Sequence, residues 1–128
     1  MTYYFAKTLD CSFDEAVRRT TDALKEAGFG VLTEIDVTAT LRKKLDVDFR
    51  NYRILGACNP AMARQALEIE DKIGTMLPCN VVVQDAGGGR IEVAAIDPVA
   101  SMAAVPNPTL QQVAGQVRDM LKKVVEGL

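Results

Sequence analysis

Histidine and tryptophan are both missing from the 128-residue chain. Without histidine, no side chain has its ordinary titration between about pH 5 and 8. Ser-His-Asp and Cys-His nucleophilic arrangements are excluded with it, and so is every histidine-ligated metal site. Aromatics are scarce, three Tyr and four Phe, which leaves little for stacking on bases. A basic excess is lacking as well: 15 Lys and Arg stand against 17 Asp and Glu, for a net charge of −2. Nucleic-acid binding draws on a basic face that displaces counterions, so no nucleic-acid partner is expected. The dense basic clusters, Arg42-Lys43-Lys44 and Lys122-Lys123, fall in expected helices and read as solvated faces.

Long apolar runs are absent too, and a membrane-crossing helix needs about 20 such residues. No membrane partner is expected. The opening "MTYYFAKTLD" alternates as a strand does and lacks a basic leader followed by an apolar stretch. Cysteine is present only three times. An odd count without an export signal makes a cytoplasmic protein with reduced thiols the expectation.

What is present is an ordinary balance of 48% hydrophobic and 25% charged residues, that of a globular chain. No linker, repeat or low-complexity tract divides it, so residues 1–128 read as a single domain. Residues 2–9 alternate as a strand. "SFDE" is a capping box, with Ser12 at the N-cap and Glu15 reaching back, and the helix it opens ends at Gly28. A second strand spans 29–36, with Phe29, Val31, Thr33 and Ile35 on one face, and a short helix follows near Thr38–Leu45. The third strand is 52–58. Asn59-Pro60 starts a helix that should run to Gly74, since Asn caps well and Pro is favoured at the first helical position. Pro78 leads into a strand, and "QDAGGGR" joins it to the next as a hairpin. Pairing Val83 with Ile91, and hence Cys79 with Ala95, keeps one apolar face. A second Asn-Pro, Asn107-Pro108, opens the last helix, striped by Leu110, Val113, Val117, Leu121 and Val124.

The order β-α-β-(α)-β-α-β-β-α predicts an α+β fold, a mainly antiparallel, curved sheet with helices packed on one face. No glycine-rich phosphate loop joins a strand to a helix, so a doubly wound parallel sheet is disfavoured. The stretches "GFGVLTEIDVTATL", "YRILGACNPAMARQAL" and "LPCNVVV…IEVAAIDP" together resemble the bacterial and archaeal domain-of-unknown-function family number 302. The most specific parts are G-x-C-N-P at 56–60, L-P-C at 77–79 and D-P at 97–98. The resemblance implies a small α+β domain similar in plan to TATA-binding-protein-like folds, often a homodimer, and implies no activity. Its motif cysteines fall on Cys58 and Cys79, and Cys11 lies outside them.

Cys58 precedes a helix N-terminus, where about half a positive charge and free N–H groups can stabilise a thiolate. Gly56 and Ala57 leave room beside it, for a ligand or simply for close helix packing. Cys79 begins a strand on the apolar face and reads as the less accessible thiol. Convergent, the two would suit a soft metal ion, a persulfide or a reversible disulfide. Met102, in the apolar stretch "VASMAAV", is the third soft ligand to consider, and Asn59 could donate to a bound anion besides capping its helix. Three functional classes stand open. One is a binding or sensing module for a soft metal or a sulfur-containing small molecule at Cys58, Asn59, Cys79 and Met102. The second is a redox or sulfur-transfer enzyme with Cys58 as the catalytic thiol. The third is a structural homodimer with no small-molecule site. No cofactor is required by the sequence. The run "VASMAAV" between two prolines is apolar enough to suggest the interface of a homodimer.

Overall fold

The computed structural model describes residues 2–128. Its strands are β1 (Tyr4–Leu9), β2 (Gly30–Asp36), β3 (Tyr52–Cys58), β4 (Cys79–Gly87) and β5 (Arg90–Ile96). Its helices are α1 (Phe13–Glu26), α2 (Val37–Leu45), α3 (Pro60–Ile69), the four-residue α4 (Pro98–Ser101) and α5 (Pro108–Glu126). Local chemistry starts each helix. Ser12 accepts from the Glu15 N–H and Asp36 from the Ala39 N–H. Asn59 accepts from the Met62 N–H, and Asn107 from those of Thr109 and Leu110. Each bond satisfies an N–H that the first turn leaves without a helical partner. The Ser12 box is only half made. The Glu15 carboxylate turns outward to Arg18 and Arg19 instead of reaching back.

All five strands join one open antiparallel sheet in the order β1-β5-β4-β3-β2. The fold is therefore α+β, as the pattern predicted. Helices α1 and α5 lie across one face and α3 packs on α5. On the helix side Leu55, Val81, Val83, Val93 and Ala95 are buried, together with Leu24, Phe29 and Leu121. The other face has no helix over it. There the register lines up Ile35, Ile54, Val82, Ala94 and Ala6 in one row across all five strands. The accessible surface is 7551 Å², above the roughly 6,700 Å² expected for a globule of this mass, consistent with an uncovered sheet face. Among the described residues no helix is long and apolar enough to cross a membrane.

Four expectations are corrected. The hairpin register is shifted by two residues: Val81 pairs with Ala95 and Val83 with Val93, not Val81 with Val93. Gly88 and Gly89, with φ of 63° and 77°, form a tight two-residue turn, and an irregularity follows at Asp85–Gly87. Both central positions of such a turn need positive φ, which glycine adopts without strain. An even shift keeps the faces, so the apolar side remains apolar. In β2 a bulge between Val31 and Thr33 moves Thr33 and Ile35 to the uncovered face, with Leu32 68% exposed. The helix from Asn59 ends at Ile69, and a 3-10 turn over Asp71–Met76 carries the buried Ile73. The "VASMAAV" run is no exposed loop. It forms most of α4 and a following turn, with Met102 buried in a second core cluster beside Ala66, Ile73, Leu110 and Ala114, while Ala103 and Ala104 are exposed.

Candidate functional site

Strand β3 runs toward Cys58 and β4 away from Cys79, and α3 with its 3-10 turn spans the gap between them. Antiparallel pairing sets Ala57 opposite Cys79, so Cys58 is one residue beyond its neighbour's cysteine at the same sheet end. The end of β5 arrives there too, followed by α4, and the first half of α5 passes over. Between these elements lies a small cavity of about 40 Å³. It sits at the seam of the two core clusters, whose members Ala57, Cys79 and Val117 on one side and Ala66, Met102 and Leu110 on the other form its wall.

The four site residues expected from sequence, Cys58, Asn59, Cys79 and Met102, all line this cavity. Cys58 is half-buried, while Cys79 and Met102 are 7% and 5% exposed. All three thiols are free. Burial pushes the Cys79 thiol up from 9.0 to about 11, with the nearby Cys58 adding to the rise. The register sets the two residues at adjacent positions of β3 and β4, Cys79 opposite Ala57, with the Cys58 side chain alternating to the other face of the sheet. Asn59 spends its Oδ1 on the Met62 N–H at 3.2 Å, and its Nδ2 lies beside Gly28. Cys11 is half-buried against the main core and takes no part in the cavity.

Gly56 is small for a different reason. A Cβ there would run into Thr33 Oγ1 and stand 2.7 Å from Pro78 Cγ. The chain's own side chains fill that space.

Met62, not singled out from the sequence, also lines the cavity, so four of its lining residues carry sulfur. Its position is predictable afterwards. Long side chains on a helix lean toward its N-terminus, which for Met62, in the first turn of α3, is the Asn59 end. No Asp, Glu, Lys or Arg lines the cavity. Among the described residues, no three of His, Cys, Asp and Glu come together as a metal-binding group. Chemically, the arrangement offers soft, polarizable donors in an apolar wall and nothing to serve as a general base.

A wider groove of about 600 Å³ runs between the starts of α1 and α2 and the segment 47–53. Both of its arginines are paired with carboxylates. Arg53 pairs with Glu34 at 3.0 Å and Asp36 at 3.5 Å, and its guanidinium stands 5.4 Å from the Phe13 ring centre. Arg42 pairs with Asp48 at 2.7 Å and Asp46 at 3.6 Å. Arg53 Nε is buried without a hydrogen-bond partner.

Comparison with known proteins follows the fold closely. The sequence matches the profile of the family described as "Domain of unknown function DUF302" over residues 5–128. The structure superposes on the crystal structure of an uncharacterized conserved DUF302 protein from Bacillus stearothermophilus with a TM-score of 0.91, covering 98% of each chain at 27% identity. No functionally curated protein matches.

Proposed function

For this chain, which belongs to the DUF302 family, we propose a binding or sensing module that holds a soft metal ion or a small sulfur-containing molecule between Cys58 and Cys79. One observation carries the reading: the residues singled out by their chemistry line a single cavity together. Volume narrows the ligand. A site of about 40 Å³ suits an ion or a molecule of a few atoms, against the roughly 300 Å³ or more of sites for larger organic ligands. Wall chemistry narrows it further, since an apolar lining leaves a hard ion or a free anion poorly compensated. The thiol-enzyme reading, with Cys58 as nucleophile, is weaker because the lining holds no carboxylate, amine or imidazole to serve as its acid or base.

The test is a titration of the reduced protein with Cu(I), Zn²⁺ and a low-molecular-weight persulfide, followed by native mass spectrometry. The wild type should retain one of them where the Cys58→Ser, Cys79→Ser double variant does not. Equal retention by both proteins would leave only a structural role.

The homodimer is proposed separately, on the uncovered sheet face. The row Ile35–Ile54–Val82–Ala94–Ala6 is apolar from edge to edge, with Tyr3 and Tyr4 exposed nearby. A second copy related by a twofold axis would cover it with the same surface. Light scattering at tens of micromolar should give twice the chain mass, and Val82→Lys should return it to one. A wild-type monomer at that concentration defeats the proposal.

A further inference from the structure

The chain has three tyrosines, and all three line one concavity of about 340 Å³ on the uncovered face of the sheet. Strand register orders that surface in three rows. Tyr4 pairs with Ile96 in the first, with Tyr3 just outside β1. Val82 pairs with Ala94 in the second, and Gln84 lies between Tyr52 and Glu92 in the third. Rows on one face are two residues apart, so the outer rows stand about 14 Å from each other. Short side chains thus floor the middle, and long ones wall both ends.

The two ends differ in chemistry. At the first, the Tyr3 and Tyr4 rings meet edge to face, 5.1 Å apart at 76°, and both are exposed. At the other, Gln84 Nε2 donates to Glu92 Oε1 at 3.1 Å, which leaves the second carboxylate oxygen for a further donor. Arg50 borders that end without lining the concavity. Its Nε donates to Gln84 Oε1 at 2.9 Å, and its guanidinium lies over the Phe49 and Tyr52 rings. Glu92 is the one charged residue of the lining. A phosphate or carboxylate finds no cation in that wall. An ammonium finds a carboxylate, and a flat ring finds aromatic surfaces to pack on.

We propose that this concavity binds an elongated aromatic amine, with its ring against Tyr3 and Tyr4 and its ammonium on Glu92. The volume is within the range of small-molecule sites. This site is separate from the cysteine-lined cavity and complete within one chain. It shares its face with the second copy proposed above, which would roof it.

The chain has no tryptophan, so indole probes excited beyond tyrosine absorption report on themselves alone. Tryptamine, tryptophol and indole-3-propionate carry one ring with a positive, no and a negative charge. Their fluorescence anisotropy is followed as the full-length protein is added. Tryptamine should bind about three- to tenfold more tightly than tryptophol, the scale of a half-exposed ion pair joined by a cation–π contact. Indole-3-propionate should bind least. Glu92→Gln should abolish the lead of tryptamine and keep tryptophol binding. Tyr3→Ala, at an exposed position outside β1, should weaken tryptamine and tryptophol alike. The Cys58→Ser, Cys79→Ser double variant should bind as the wild type does. No tryptamine binding in the millimolar range overturns the proposal, and so does a lead that survives Glu92→Gln or a loss in the cysteine variant. Light scattering of the same samples separates this site from the homodimer. Tryptamine bound by a monomer upholds the site and defeats the second copy, whereas a dimer that excludes tryptamine does the reverse.

Discussion

Raising the pH should unfold this protein in a way that removal of one sulfur abolishes. The Cys79 thiol lies 7% exposed at the start of β4, and burial, with Cys58 beside it, lifts it from 9.0 to about 11. The folded state therefore holds this proton more tightly than the unfolded chain does. Between these two values the unfolded chain binds fewer protons, so stability declines as pH rises. The contribution is fully present below about pH 9 and lost as pH passes through about 11. Two pKa units at 1.36 kcal/mol each make the total loss about 3 kcal/mol, about half of it already by pH 10. Tyrosines and lysines titrate in the same range, so the measurement is a difference. Urea unfolding of the wild type and of Cys79→Ala is followed from pH 8 to 11 in the presence of a reductant. The alanine variant starts lower, having lost a packed sulfur, and the gap should close with pH. Replacing Cys58 by Ser should reduce the decline modestly, since the neighbour is the smaller cause. A gap that stays constant across the range would refute the burial of this thiol and, with it, the geometry assigned to the cavity.

Other expectations are more local. Gly56→Ala should cost about 1–3 kcal/mol, the usual range for overpacking, and the added Thr33→Ala should recover part of it; a cost near zero in urea unfolding contradicts the close approach of Thr33 and Pro78. Asn107→Ala should cost about 1 kcal/mol, the ordinary value of a lost N-cap. Asn59→Ala should cost about as much by the same measure, and loss of ligand retention without loss of stability would make it a binding residue instead. A thiol reagent followed by mass spectrometry should modify Cys58 in the native protein well before Cys79; simultaneous modification contradicts their difference in burial.

Much of this architecture is written locally in the chain. The caps at Ser12, Asn59 and Asn107 are read from a residue and its successors, because the N–H groups they satisfy lie within three positions. The convergence of Cys58 and Cys79 was also legible, since both sit at strand ends flanking one helical connection. The losses came wherever position depends on distant partners. Three consecutive glycines permit more than one tight turn, so Gly87-Gly88-Gly89 left the hairpin register open while fixing its parity. The adjacent apolar pair Val31-Leu32 carries the bulge in β2 without advertising it. Met102 looked like part of a surface loop because its cover, Leu110 and Ala114, comes from α5. Met62 stands one helical turn into α3, and nothing in its spacing marks it as a lining residue of the cavity. The groove beside Arg53 gathers segments from three parts of the chain and has no sequence signature.

The strand order also sets a timetable for the chain as it leaves the ribosome. β1 precedes every other strand but pairs only with β5, the last of the five in the chain. β2, at the opposite edge, needs only β3. An emerging chain can thus build the β2–β3 ladder and add β4, while the first strand waits with its backbone unpaired. Long-range closure of this kind comes late and slowly, because the loop must be paid for in entropy before its contacts form. Lys7 belongs to the same late event: its ammonium donates to the carbonyl of Glu126 at 2.9 Å and to that of Leu128. The first strand is thus fastened by the end of α5, and a chain that stops short of β5 leaves β1 without a partner.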